Sequence, residues 1–309
     1  MGKVYVIGGM ALDVEGRSFE KLVRGDSNPG SVHTSHGGVG RNITENLAKL
    51  GVEVGLVSVM GNDDSGRMLT RKLIPLGVDV DNIRVFNDAK TAMYLSLLDS
   101  DGTMDAAIAS MDILDRINPE MLAPLLPKLM SADFVGLDAN LSVDTLSFIG
   151  DTIGSRVPLF IDAVSTPKAV RLRGISGKFT IVKANRMEAG AITGIDTSTD
   201  EGVKAAAHTI VAAGSRCALI TLDSRGVYYC NDEGEGQMAS IKVSNIVSTT
   251  GAGDAFSAMA LYGHLQGWPI KKTLLYAAAM SSIVIQSAVP VPEDLCLEKV
   301  RQVAENVQW

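Results

Sequence analysis

Two glycine-rich segments carry residue types on which chemistry could be built. Residues 248 to 256 read Ser-Thr-Thr-Gly-Ala-Gly-Asp-Ala-Phe and run at once into a helical pattern over Ser257–Gln266. The small residues Gly251, Ala252 and Gly253 let the backbone turn tightly, and a helix that follows aims its free N–H groups and positive dipole end back at the turn. The result is an anion hole. A carboxylate at Asp254 repels an anion, yet it suits a base that takes the proton of a hydroxyl attacking phosphorus. Complementing the helix dipole is an equally good account of Asp254 on composition alone.

The second segment is Gly37-Gly-Val-Gly-Arg-Asn, again running into a helix. Gly37, Gly38 and Gly40 permit close backbone approach of a polyhydroxylated ligand, and Asn42 can both donate to and accept from neighbouring hydroxyls. No strand precedes it with GxGxxG spacing and an acidic residue about twenty positions on, so a dinucleotide fingerprint is disfavoured. A GxxxxGK[ST] phosphate loop is absent as well, so any ATP chemistry must use another cradle.

These segments need a scaffold. The chain has 309 residues, 46% hydrophobic and 20% charged, which excludes a disordered chain and suits one large core-rich unit. Short β-branched runs at Val4–Ile7, Val54–Val59, Phe134–Leu137, Leu159–Ile161, Phe179–Val182 and Ala218–Thr221 predict buried strands. Between them, helical periodicity covers Asn42–Leu50, Ser65–Leu76, Pro119–Leu129, Val143–Ile149, Arg186–Thr193 and Val203–Ala213. That alternation predicts an α/β fold with a doubly wound, mostly parallel sheet and helices on both faces. Two excursions, approximately 13–35 and 83–109, instead alternate polar and apolar residues around the turns Asp26–Gly30 and Asp101-Gly102. They predict a small β-sheet lid over the carboxyl ends of the central strands, where ligands bind in open α/β sheets.

Charge and cysteine usage exclude other classes. The formal net charge is −7 with no basic cluster to track a phosphate backbone, so no nucleic-acid partner is expected. Cys217, Cys230 and Cys296 lack CxxC spacing and read as buried free thiols of a reducing compartment. The opening MGKVYVIGG has no export pattern, and the apolar stretch 277–292 is broken by Ser281, Ser282, Gln286 and Ser287. The expectation is a cytoplasmic protein that makes no use of a membrane.

Taken in order, GGVGRNITENLAKLG (37–51), GNDDSG (61–66), KANRMEA (183–189), TLDSRGV (221–227) and STTGAGDAF (248–256) resemble the ribokinase-like, or PfkB, carbohydrate and nucleoside kinases. The resemblance spans nearly the whole chain, and the paired GG-x-G-x-N helix start and GAGD turn are highly specific. It implies ATP-dependent transfer of a phosphoryl group to a sugar or nucleoside hydroxyl, with one kinase domain over 1–309. Asp254 would be the base and Gly251, Ala252 and Gly253 the anion hole. Asn185 and Glu188 would organise Mg²⁺ through water or phosphate, although the same pair could form a helix capping box. Asn185, Thr221, Gly226 and Gly253 would line ATP, and Asp13, Gly38 and Asn42 would hold sugar hydroxyls. Lys183, alone at a strand end, reads more readily as a solvated charge.

Within the family, DSNPGSVHTSHGGVGRN (26–42), TAMYLSLLDSDGTMDAAIASMDI (91–113), LDANLS (137–142) and IDAVSTPK (161–168) are most similar to the pseudouridine kinase branch of bacteria. The resemblance implies phosphorylation of the 5′-hydroxyl of pseudouridine. Ribose, fructose, uridine or adenosine would be the alternative substrates, and a non-catalytic sugar- or nucleoside-binding protein the alternative of another class. Asn28, Ser96, Asp112, Asp138, Asn140 and Lys168 are polar candidates to read the base, each also open to a turn or capping role. Ser248 stands where many relatives have an Asp beside a monovalent cation, and a hydroxyl is the weaker ligand, so a K⁺ requirement is left open. Pairing of lids across a homodimer is a further implication of the resemblance.

Overall fold

A computed structural model describes residues 2–307. Thirteen strands run in chain order as β1 (Lys3–Ile7), β2 (Ala11–Ser18), β3 (Gly30–Gly37), β4 (Glu53–Gly61), β5 (Ile83–Phe86), β6 (Ala92–Leu98), β7 (Met104–Ser110), β8 (Phe134–Asp138), β9 (Leu159–Asp162), β10 (Ile181–Asn185), β11 (Cys217–Thr221), β12 (Val227–Asn231) and β13 (Gly234–Met238). Nine of them form one sheet in the order β13-β12-β11-β10-β9-β8-β1-β4-β5. The seven from β11 to β5 are parallel, and the β12–β13 hairpin closes one edge antiparallel.

Alternation along β1 shows how the sheet is covered. Val4 and Val6 point to a core shared with the helices Val39–Lys49, Ala252–Leu265 and Ile270–Val284. Tyr5 and Ile7 point to the opposite core, against Val143–Thr152, Arg186–Thr193 and Asp200–Ala212. Burial on both faces explains why these strands read as unbroken apolar runs. The helix Ala252–Leu265 is buried around most of its circumference, which its run of small residues permits. A β-carbon on Gly263 would stand 2.5 Å from the Thr273 hydroxyl of the next helix.

The second sheet has four strands in the order β3-β2-β6-β7. β2 begins four residues after β1 ends, and β3 leads straight into the helix Val39–Lys49, so this sheet hangs from the carboxyl end of β1. Ile83–Phe86, expected within the lid, instead extends the large sheet beside β4, and the second excursion of the small sheet starts at Ala92. Phe179, expected to open a strand, lies before it, and β10 runs on to Asn185. The β12–β13 hairpin and the helix Leu297–Glu305 were not foreseen. The first has an exposed, glycine-broken edge strand, and the second a short amphipathic face. Cys217 and Cys230 are buried free thiols, whereas Cys296 is exposed at the start of the last helix.

Candidate active site

Parallel strands that end side by side bring their last residues into one row. Asp138 of β8 pairs in register with Asp162 of β9, and Asn185 of β10 with Thr221 of β11. The row lies along the carboxyl edge of the sheet, the expected place for a ligand in this architecture.

The turn 251–254, expected to form an anion hole, lies against that row. Gly251 adopts φ +84° as the residue before the helix Ala252–Leu265, and a β-carbon there would come within 2.5 Å of the Pro290 carbonyl oxygen. Only glycine fits such a left-handed, crowded position. Asp254 follows in the first turn, and its Oδ2 accepts a 2.7 Å hydrogen bond from Asn42 Nδ2. Burial and the nearby Asp162 carboxylate push the Asp254 carboxyl up to about 7, against the opposing pull of Asn42 and Lys183. A base with that pKa is half deprotonated near neutrality, the poise general-base catalysis favours.

Lys183 departs from the expected solvated charge. Its side chain is buried, with Nζ 3.0 Å from Asp162 Oδ2, and Ser257 donates to the same oxygen at 2.6 Å. Burial disfavours the ammonium, but Asp162, Glu188 and Asp254 around it prevail and raise its pKa. Asp162 and Ser257 were missed in the sequence. The one available signal was an acidic residue closing the apolar strand Leu159–Asp162 at the ligand edge.

Asn185 and Glu188 form the capping box. Asn185 Oδ1 accepts the Glu188 N–H at 2.9 Å, and the Glu188 carboxylate accepts from the Asn185 N–H at 2.7 Å and from its side-chain Nδ2 at 2.8 Å. Thr221 lies beside them, its hydroxyl donating to the Ala184 carbonyl at 3.5 Å. Gly226 is held at φ +93° against the Met238 carbonyl, so it shapes the turn into β12.

On the opposite side, Gly38 (φ +92°) brings the start of the helix Val39–Lys49 onto the turn after β1, where a β-carbon would meet Gly9 O at 2.5 Å. Asp13 sits beside Gly37, and burial raises its carboxyl to about 6, opposed by Arg41. Asp13 pairs with Tyr94 and Glu15 with Ser96, so Asp13 and Ser96 share one face of the small sheet.

Two expected base-reading residues are otherwise engaged. Asp138 is fully buried; its Oδ2 accepts the N–H groups of Gly9 and Gly40, both at 2.8 Å, and its Oδ1 that of Asn140 at 2.9 Å. It clamps backbone and presents no free oxygen. Asn28 turns into its own loop, bonding Val23 at 2.8 and 3.0 Å and the Asp26 carbonyl at 3.0 Å. Asp112 opens a short 3₁₀ turn. Asn140 and Lys168 lie just beyond β8 and β9; burial and Arg171 lower the Lys168 pKa, and Lys168 forms no ion pair among the described residues.

A twin-glycine helix start, a half-buried Asp254 in the first turn after a Gly-Ala-Gly turn and a capping box at a neighbouring strand end coincide with the family pattern. The family model described as "pfkB family carbohydrate kinase" matches residues 1–291. This chain belongs to the PfkB family of carbohydrate kinases. It is an ATP-dependent kinase with the ribokinase-like fold. The chain is 36% identical over 306 residues to the pseudouridine kinase of Escherichia coli, covering 99% of this chain and 97% of that protein. A guanosine-inosine kinase of Exiguobacterium acetylicum is 28% identical, covering 93% and 95%. Among solved structures, a carbohydrate kinase from Agrobacterium tumefaciens superposes with a TM-score of 0.86 at 30% identity, covering 99% and 97%. Arabidopsis thaliana ribokinase, complexed with ribose and ATP, gives a TM-score of 0.86 at 23% identity, covering 98% and 99%, and so speaks for the fold of this PfkB kinase. No helix among the described residues is long and apolar enough to cross a membrane.

Proposed function

We propose that this PfkB kinase transfers the γ-phosphoryl group of ATP to the 5′-hydroxyl of pseudouridine, giving pseudouridine 5′-phosphate and ADP. The observation that carries the substrate is the 36% identity over 306 residues to the Escherichia coli pseudouridine kinase, a span that takes in the small sheet and the strand ends as well as the 251–254 turn. Those are the parts that face a sugar and base.

The chain's own residues divide the work. Asp13, Gly38 and Asn42 hold ribosyl hydroxyls, with Ser96, Asn140 and Lys168 placed to meet the base. Asp254 takes the proton of the 5′-hydroxyl as its oxygen bonds to the γ-phosphorus and the bond from phosphorus to the ADP oxygen breaks. The N–H groups of the 251–253 turn face the charge that builds on the transferring oxygens, and the Lys183 ammonium neutralises part of it. Asn185, Thr221 and Gly226 lie along the nucleotide.

Asp162, Glu188 and Asp254 place their charges around the Lys183 ammonium, but their oxygens are bonded to Lys183, Ser257, Asn185 and Asn42 and do not converge as a set of direct metal ligands. Asn185 and Glu188 would hold Mg²⁺ through water, because their own side-chain atoms already bond one another. When bound, Mg²⁺ neutralises phosphate oxygens and orients them.

ADP release measured on pseudouridine, uridine, guanosine, inosine, adenosine, ribose and fructose tests the proposal. Pseudouridine should give the highest kcat/KM by at least about tenfold. An equal or higher value on guanosine or ribose would move the assignment to that substrate.

A further inference from the structure

Behind the catalytic base runs a chain of hydrogen bonds that phosphoryl transfer as described does not use. Arg41 is 1% exposed and forms an ion pair with Glu45, also 1% exposed, one helical turn away. Its Nη1 donates to Asn42 Oδ1 at 2.6 Å and to the His36 carbonyl at 2.9 Å. Asn42 Nδ2 then donates to Asp254 Oδ2 at 2.7 Å. Glu45, Arg41, Asn42 and Asp254 are thus linked end to end.

We infer that Arg41 and Glu45 are positioning residues for the base, fixing the Asn42 carboxamide so that its N–H side faces Asp254 and setting the charge that Asp254 experiences. This rests on Asp254 being the base.

A carboxamide can present either its oxygen or its N–H₂ to a neighbour, and the wrong choice would set oxygen against the Asp254 carboxylate. A guanidinium on the other side can only donate, so it compels the oxygen of Asn42 to face Arg41. A buried guanidinium in turn needs a counter-charge, which Glu45 supplies. Stability is a weak reason for keeping this pair. Arg41 Nε and Glu45 Oε1 are buried without a hydrogen-bond partner, an arrangement that costs stability. The charged groups that face Asp254 from the surrounding elements are Asp138 on β8, Asp162 on β9, Lys183 on β10 and Arg41 itself. Only Arg41 and Lys183 favour its ionised form, and Lys183 is already matched by Asp162.

The test is the acid limb of the kcat–pH profile at saturating ATP and nucleoside, in Arg41→Met, Glu45→Gln and Asp254→Asn. Removing the Arg41 charge should move the limb to higher pH by roughly half a unit, and removing the Glu45 charge should move it to lower pH by a similar amount. Arg41→Lys should restore the limb in part, since it keeps the charge but loses the fork. A purely structural pair would lower the melting temperature and kcat without shifts of opposite sign; limbs that stay in place, or move together, overturn the inference. If Arg41→Met does not fold, the isosteric Glu45→Gln decides alone: a downward shift supports the inference and an unmoved limb ends it. Asp254→Asn with retained turnover would instead reject the base itself, a separate failure.

Discussion

Lys183 and Gly253 stand directly against each other at the first turn of the helix Ala252–Leu265. A β-carbon built on Gly253 would stand 3.2 Å from the Lys183 ammonium and, apart from its chain neighbours and its own helix backbone, within 4 Å of nothing else. The ammonium therefore lies directly beside the turn, so a buried cation and the free N–H groups of the helix start are presented together, a pairing that favours the charge of a phosphoryl group.

Gly253→Ala should separate binding from folding. Gly253 does not have positive φ, so alanine fits the backbone and the melting temperature should stay within about 2 °C of the parent, while the methyl group narrows the cradle. Steady-state kinetics should show a loss in kcat/KM for ATP on the order of tenfold. Gly251→Ala is the contrast: at φ +84° and 2.5 Å from Pro290 O it should lose about 2 kcal/mol or more in urea unfolding. Equal stability of the two variants would refute this assignment of the turn.

Asp254→Asn should lower kcat by at least about a hundredfold and leave the nucleoside dissociation constant within roughly threefold of the parent. The amide keeps an oxygen for Asn42 Nδ2, so the local hydrogen bond survives while the base is lost. Calorimetric titration beside turnover checks both halves. Unchanged turnover removes Asp254 from the mechanism.

The pH dependence has two opposite signs. The proposed base role needs ionised Asp254, so with its carboxyl at about 7 the rate should fall as pH drops below neutrality. Stability runs the other way. A carboxyl raised in the folded state contributes stability that is fully present below its unfolded pKa and is lost as pH rises through the folded value. Between pH 4 and 7 this site therefore favours folding less and less. The variant Asp254→Asn, which never ionises, should gain on the parent at pH 8 by on the order of 1 kcal/mol, allowing for screening at a partly open site, and match it near pH 4. Denaturant melts at the two pH values measure the difference, and a gain as large at pH 4 as at pH 8 would contradict the assigned shift.

The strands and most helices were legible because each apolar run is buried on both sheet faces, a condition that leaves a continuous signature. The glycine motifs were legible for a similarly local reason: Gly38 and Gly251 each answer a single left-handed turn. What the sequence hid depends on distance along the chain. Asp162 and Lys183 meet only because β9 and β10 are neighbours, and Asn42 reaches Asp254 across 212 positions. Lys183 read as solvated because burial comes from the helix Ala252–Leu265 packed above it. Asp138 read as a base contact because a carboxylate at a strand end is ambiguous until its backbone partners are known. Ile83–Phe86 read as lid because an alternating edge strand looks alike in either sheet.

Asp138 yields the last prediction. Its Oδ2 accepts two backbone N–H groups and its Oδ1 a third, so it ties the turn after β1 to the start of the helix Val39–Lys49. A carboxamide has one oxygen, and either orientation of Asp138→Asn sets an N–H₂ against at least one buried N–H. The variant should lose about 2–4 kcal/mol in urea unfolding and lose turnover only in step with foldedness. Lys168→Met, half-buried at the neighbouring strand end and outside any ion pair among the described residues, should do the reverse. Its stability should stay within about 0.5 kcal/mol while KM for the nucleoside rises and KM for ATP holds. Should Asp138→Asn fold as well as the parent and raise the nucleoside KM alone, Asp138 would belong with the ligand contacts and its role as a backbone clamp would be wrong.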